Sequence, residues 1–87
     1  MIAYDTLLAM SDTMAEKTDY EARAANILKA ELKRKGVTYA QLVEKLAAIG
    51  VVDAEVNIRN KLSRGKFTAA FLLQCLSAIG VASLHLE

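Results

Sequence analysis

The chain contains no proline, and its four glycines, at positions 36, 50, 65 and 80, close segments that open on Thr18, Thr38, Asp53 and Thr68. A Thr or Asp suits a helix start because its side-chain oxygen accepts a hydrogen bond from an unpaired first-turn N–H. A glycine suits the position just past a helix because it enters the left-handed region without steric cost. The punctuation therefore predicts four helices. The first opens at Thr18, where Glu21 completes a capping box, and runs through Tyr20, Ala24, Ile27, Leu28 and Leu32 to Gly36. Lys33, Arg34 and Lys35 put cations at its negative end. The second opens at Thr38, with Gln41 completing a capping box and Val37 stapled onto Leu42; Leu42, Val43, Leu46 and Ile49 form its expected buried stripe. The third has Asp53 as its expected N-cap and Ala54, Ile58 and Leu62 on one face. The fourth opens at Thr68, with Phe67 and Leu72 as a staple, and buries Phe71, Leu72, Cys75, Leu76 and Ile79.

Composition agrees with this pattern. Ala, Leu, Lys and Glu, all good helix formers, are abundant, and 87 residues suffice for one hydrophobic core but not two. The expected architecture is an all-α, compact four- or five-helix bundle, with Leu46 and Leu76 in its core. Residues 18–86 form the domain and residues 1–17 an N-terminal extension, where Tyr4, Leu7 and Leu8 fit a short helical face that Ser11, Asp12 and Thr13 interrupt. The single cysteine, Cys75, forms no intramolecular disulfide, no secretory leader pattern opens the chain, and no apolar run approaches the eighteen or so residues that cross a bilayer. A cytoplasmic protein with no membrane association is expected.

The net charge of +1 conceals an asymmetry. Residues 1–28 carry two basic against five acidic residues, a net −3, whereas residues 29–66 carry nine against four, a net +5. The stretch Asn57–Lys66 holds Arg59, Lys61, Arg64 and Lys66 with no acid. A basic band of this kind suits a polyanionic partner, although a short basic run is in most proteins only a solvated face.

With Ile58 at the centre of the third helix's buried face and about 100° per residue, its outward positions are Val56, Asn57, Arg59, Asn60, Ser63 and Arg64. Asn is a mediocre helix former, so two on one exposed face call for another reason. The string LKRKGVTYAQLVEKLA resembles the opening of phage-repressor-like (Xre-type) helix-turn-helix domains, KLSRGKF resembles the close of that family's recognition helix, and CLSAIGVASLHL resembles its last helix and tail. The chain resembles more closely still a family of small bacterial proteins, a domain of unknown function, with an ILKAEL helix followed by NIRNK and RGKFTAAF.

The helix-turn-helix resemblance implies a lambda-repressor-like fold and sequence-specific binding of double-stranded DNA by a transcriptional regulator, with the helix over 53–63 in the major groove. In that arrangement Val56, Asn57, Arg59 and Asn60 contact bases. Thr38, Tyr39, Gln41, Lys33, Lys35, Lys61, Arg64 and Lys66 contact phosphate. A short recognition helix reads few base pairs, so a homodimer is expected, with the N-terminal segment and the last helix as candidate dimer surfaces. Three features depart from the repressor pattern. The segment from Leu46 to Ile58 is several residues longer than the usual turn, Tyr39 stands where the family favours Gln, and Asp53 and Glu55 put negative charge where phosphates would be met.

Other chemistry finds little footing. His85 is the only histidine and has no partner at ligand spacing, Cys75 reads as a small core hydrophobe, and no phosphate-cradling glycine loop or nucleophile elbow is present. Glu16 with Asp19, and Asp53 with Glu55, read as helix-start acids. No enzymatic activity, cofactor, metal or small-molecule ligand is expected. The alternative to DNA binding is a protein-interaction module on the same fold, docking through the acidic N-terminal third and Ile2, Tyr4, Leu7 and Leu8; RNA binding is a third reading.

Overall fold

A computed structural model describes residues 20–86 of the chain. The expected extension over 1–17, its short helix and the Thr18 cap lie outside the described residues. Four helices and no strand are found among the described residues. Helix α1 is helical from residue 20 to 35, α2 spans Tyr39–Ala48, α3 spans Glu55–Arg64 and α4 spans Ala69–Ala78. The all-α class is the one observed.

The ends of the helices follow from their local chemistry. At the start of α2 the Gln41 N–H donates to Thr38 Oγ1 over 3.1 Å, while the Thr38 N–H donates to Gln41 Oε1 over 2.9 Å, so the capping box is complete. Thr68 caps α4 through the Phe71 N–H at 3.0 Å. Asp53 is not the N-cap of α3. That position belongs to Ala54, which has no side-chain acceptor, and the helix begins one residue later, at Glu55. The Asp53 carboxylate instead takes the Ala54 N–H at 2.8 Å, one residue too early for a cap. Each helix closes on a backbone bond spanning five residues: Val37 to Leu32, Val51 to Leu46, Lys66 to Lys61 and Val81 to Leu76. Val37, Val51 and Val81 then pack against the core.

The core is one cluster of Leu28 and Leu32 from α1, Leu42 and Leu46 from α2, Ile58 and Leu62 from α3, and Phe71, Cys75 and Leu76 from α4, with Ile79 beyond it. Helix α2 packs against both α3 and α4. Full burial of each large aliphatic side chain contributes about 1.5–3 kcal/mol relative to exposure. Leu46 and Leu76 are both buried, as the periodicity predicts. Val43 and Leu72, expected in the buried stripes, are only partly buried, and three other positions are exposed. Tyr20 is 64% exposed, because the buried face of α1 centres on Ala25, Leu28 and Leu32 and leaves Tyr20 at its edge. Ile49 is half exposed because it is the C-cap, where the chain has left helical geometry, and Val51 turns inward instead. Ala54 is exposed as the cap of α3, outside the Ile58–Leu62 stripe.

The end of α3 is pinned to α1 by Gly65. Its φ is +68°, and a β-carbon there would collide with the Glu21 carbonyl, whose carbon would lie 2.8 Å away. Beside it, Lys66 Nζ lies 3.1 Å from Glu21 Oε2. Gly36 has almost the same φ, +69°, but open space around it. In urea denaturation, Gly36→Ala is therefore expected to cost only the left-handed penalty of about 1–2 kcal/mol. Gly65→Ala is expected to cost that and a further 1–3 kcal/mol or so from the collision. Equal losses at the two sites would contradict the close approach of α3 to α1.

Candidate nucleic-acid interface

Helix α3 is held by Ile58 and Leu62, both fully buried, so the opposite side of its 3.6-residue repeat must face solvent. Val56, Asn57, Arg59, Asn60, Ser63 and Arg64 are all exposed, as the helical periodicity predicts. The neighbouring surface comes from the α1–α2 junction. Lys29, Lys33, Thr38 and Tyr39 line a shallow groove floored by Leu32 and Val37. Lys35, Gln41 and Lys45 line a second groove beside Val37, together with the acidic Glu44. Tyr39 joins this region to α3, because the Arg59 guanidinium lies over its ring, 5.8 Å from the centroid. Thr38, Tyr39, Gln41, Lys33 and Lys35 thus cluster at the start of α2, and Tyr39 carries the surface on to Arg59.

The acid-free run is not free of acids in space. Arg59 Nη2 lies 2.7 Å from Glu55 Oε2, one turn earlier on α3. Lys61 Nζ lies 2.7 Å from Asp53 Oδ2 and sits over the Phe71 ring, 4.4 Å from its centroid, so it is tied between α3 and α4. Lys66 reaches Glu21. Arg34 pairs with Glu31 at 2.6 Å. Arg64, Lys29, Lys33, Lys35 and Lys45 have no acidic partner among the described residues. Of the expected phosphate-binding cations, Lys33, Lys35 and Arg64 are therefore the uncommitted ones, and Lys61 is the most tightly held.

Asp53 is the hub of this arrangement. Its carboxylate accepts from the Ala54 N–H at 2.8 Å, Asn57 Nδ2 at 3.2 Å and Lys61 Nζ at 2.7 Å. Its side chain is only 12% exposed. Burial pushes the Asp53 pKa up, but the bonds from Lys61, Ala54 and Asn57 outweigh it and hold the carboxyl below its ordinary value of 3.8. The negative charge expected at the start of α3 is therefore internally neutralised: Asp53 by Lys61, and Glu55 by Arg59.

These observations describe a polar helix face beside a cationic junction. The family described as "Domain of unknown function (DUF6471)" matches residues 20–84, the whole of the four-helix unit. The chain belongs to the DUF6471 family. No curated protein and no solved structure matches it.

Two features of this DUF6471 domain escaped sequence reasoning. Lys29 joins Lys33 in the groove, a pairing legible in their spacing of four along α1. The Asp53–Asn57–Lys61 ladder has the same spacing of four, but a reading of Asp53 as a cap concealed it. The DUF6471 domain also buries Cys75, and burial raises its thiol pKa to about 12 despite the Lys61 charge, with Asp53 adding to the rise. His85 is exposed in the tail. Among the described residues no three His, Cys, Asp or Glu side chains converge on a possible metal position, and no helix is long and apolar enough to cross a membrane.

A depressed carboxyl stabilises the fold above the unfolded pKa and loses that contribution as pH falls through the folded value. Asp53→Ala is therefore expected to cost about 1–3 kcal/mol at pH 7. The gap from the parent should narrow as pH falls from 3.8 through the lower pKa of the folded carboxyl, whose protonation ends the charged contacts. A gap that stays constant down to pH 2.5 or so would contradict the charged ladder.

Proposed function

We propose that this chain binds double-stranded DNA as a sequence-specific transcriptional regulator working in the cytoplasm. In this reading α2 and α3 act as a helix-turn-helix, with α3 in the major groove and the start of α2 against the backbone. The observation that supports it most is the outward face of α3, continued through the Arg59–Tyr39 contact onto the Lys29–Lys33–Thr38 groove. An exposed helix face needs only solubility, yet this one presents Val56, Asn57, Arg59 and Asn60, whose groups match thymine methyl, adenine and guanine edges. Around it Thr38, Tyr39, Gln41, Lys33, Lys35 and Arg64 are placed to hold phosphate. Lys66, 67% exposed, exchanges Glu21 for phosphate at little cost, because a surface ion pair contributes at most about 1 kcal/mol. Lys61 serves mainly to anchor α3.

The longer connection between α2 and α3 is compatible with this reading. Residues 49–54 turn on the Val51–Leu46 bond and the Asp53 ladder, and α2 still packs directly on α3. One ten-residue helix reads too few base pairs to select a site, so the working form is a homodimer on paired half-sites. The surface of α4 favours this. No charged residue occurs from Phe67 to Leu84, and Leu73 on α4 is 65% exposed. A charge-free apolar face meets its own copy without like-charge repulsion. The same face favours the second reading, a protein-interaction module, if DNA is not bound.

Fluorescence anisotropy with duplexes selected from a random pool tests the proposal. Asn60→Ala is expected to lose about 1–3 kcal/mol on the selected site and little on random duplex. Lys33→Ala should weaken all duplexes alike and lower the salt slope by about one unit per protomer. Sedimentation should give two copies per selected duplex. Absence of binding to any duplex at low salt would remove DNA binding and leave the interaction module.

A further inference from the structure

Asp53 bears on what α3 reads. A carboxylate offers only acceptors, so of the two ends of the Asn57 amide only Nδ2 can face Asp53, and it does so at 3.2 Å. The carboxylate itself is held by donors at other points of the chain, the Ala54 N–H ahead of α3 and Lys61 Nζ farther along it. Turning the amide over would set Oδ1 against a carboxylate oxygen, acceptor against acceptor. The orientation of Asn57 is thus fixed from the side, while the residue stays exposed on the outward face.

We infer that Asp53 is the specificity-determining residue of α3: by holding one N–H of Asn57, it leaves that side chain one donor and one acceptor and so selects an adenine edge. This rests on the DNA-binding reading above. A free asparagine has two amide hydrogens and can donate both to the N7 and O6 acceptors of guanine, or donate one and accept one at adenine N7 and N6. With one hydrogen committed to Asp53 the guanine mode is closed, because Oδ1 would then face O6. The adenine mode still needs only what remains. Asn60, one turn further along the same face, has no side-chain partner among the described residues and keeps both modes. Selection should therefore be stricter at the pair read by Asn57 than at the pair read by Asn60. Asp53 acts through Asn57 and is a positioning residue.

The test is selection from a random duplex pool with the parent, Asp53→Ala, Asp53→Asn, Asn57→Ala and the Asp53→Ala/Asn57→Ala double variant, each first shown to be folded by its thermal melt. The parent is expected to enrich an A·T pair at one position by about tenfold over G·C. Asp53→Ala should still bind but cut that preference to about twofold, by admitting guanine. Asp53→Asn, whose side-chain oxygen can still accept from Asn57, should keep most of the preference although it loses the Lys61 pair. In the Asn57→Ala background, removing Asp53 should change the base preference no further. Asp53→Ala with the parental preference intact, or with a uniform loss on all duplexes, would overturn the inference. A parent that enriches no sequence would instead overturn the DNA-binding reading, before any variant is compared. Should Asp53→Ala fail to fold, NMR of the free parent decides: one Asn57 amide hydrogen shifted downfield and slow to exchange supports the clamp, and two ordinary, rapidly exchanging hydrogens overturn it.

Discussion

The anchoring of α3 by two buried side chains, Ile58 and Leu62, and by one close backbone approach, Gly65 against Glu21, governs everything the outer surface can do. The helix has ten residues and only three aliphatic ones, and a polar helix of that length does not hold itself together in water. Its stability is borrowed from α2 behind it and α1 at its end. The same contacts fix its rotation, since a turn of one residue position in one sense would put Asn57 in the place of the buried Ile58. Packing in the core and presentation at the surface are in this sense one constraint.

Much of this was legible in the chain, and the reasons are local. Thr38 with Gln41, and Thr68 ahead of Phe71, are capping patterns whose geometry is set within three residues, and the structure forms them. The spacing of Ile58 and Leu62 was enough to find the outward face of α3, and that of Leu42 and Leu46 the inward face of α2. What could not be read depended on the chain folding back on itself. Asp53 has the right residue type for a cap but stands one residue too early, and its carboxylate is engaged instead by Ala54, Asn57 and, two turns along α3, Lys61. Ile49 fits the stripe by count, yet the backbone leaves the helix there. Nothing local says that Tyr39 and Arg59, twenty residues apart, meet.

Charge shows the same difference between sequence and space. Asn57–Lys66 contains four cations and no acid, yet Glu55, Asp53 and Glu21 from outside the run engage three of them. The uncommitted positive charge lies instead around the start of α2, at Lys29, Lys33, Lys35 and Lys45, with Arg64 at the end of α3. Among the described residues this separates a surface suited to holding an anionic backbone from one whose polar groups are pre-arranged. A helix that reads base edges benefits from such a division. Arg59 and Lys61, held by neighbouring carboxylates, contribute less to indiscriminate binding, and the Asn57 amide keeps its direction.

The function proposed for α3 requires its outward face to meet DNA. An NMR titration of the isotope-labelled chain with duplex observes this most directly, because every backbone amide reports separately. DNA binding through α3 requires the largest shifts at Thr38 and Tyr39 and across Val56–Arg64, fading as salt is raised, with smaller shifts along α4. Shifts confined to α4 and the tail, or none at low salt, would contradict it.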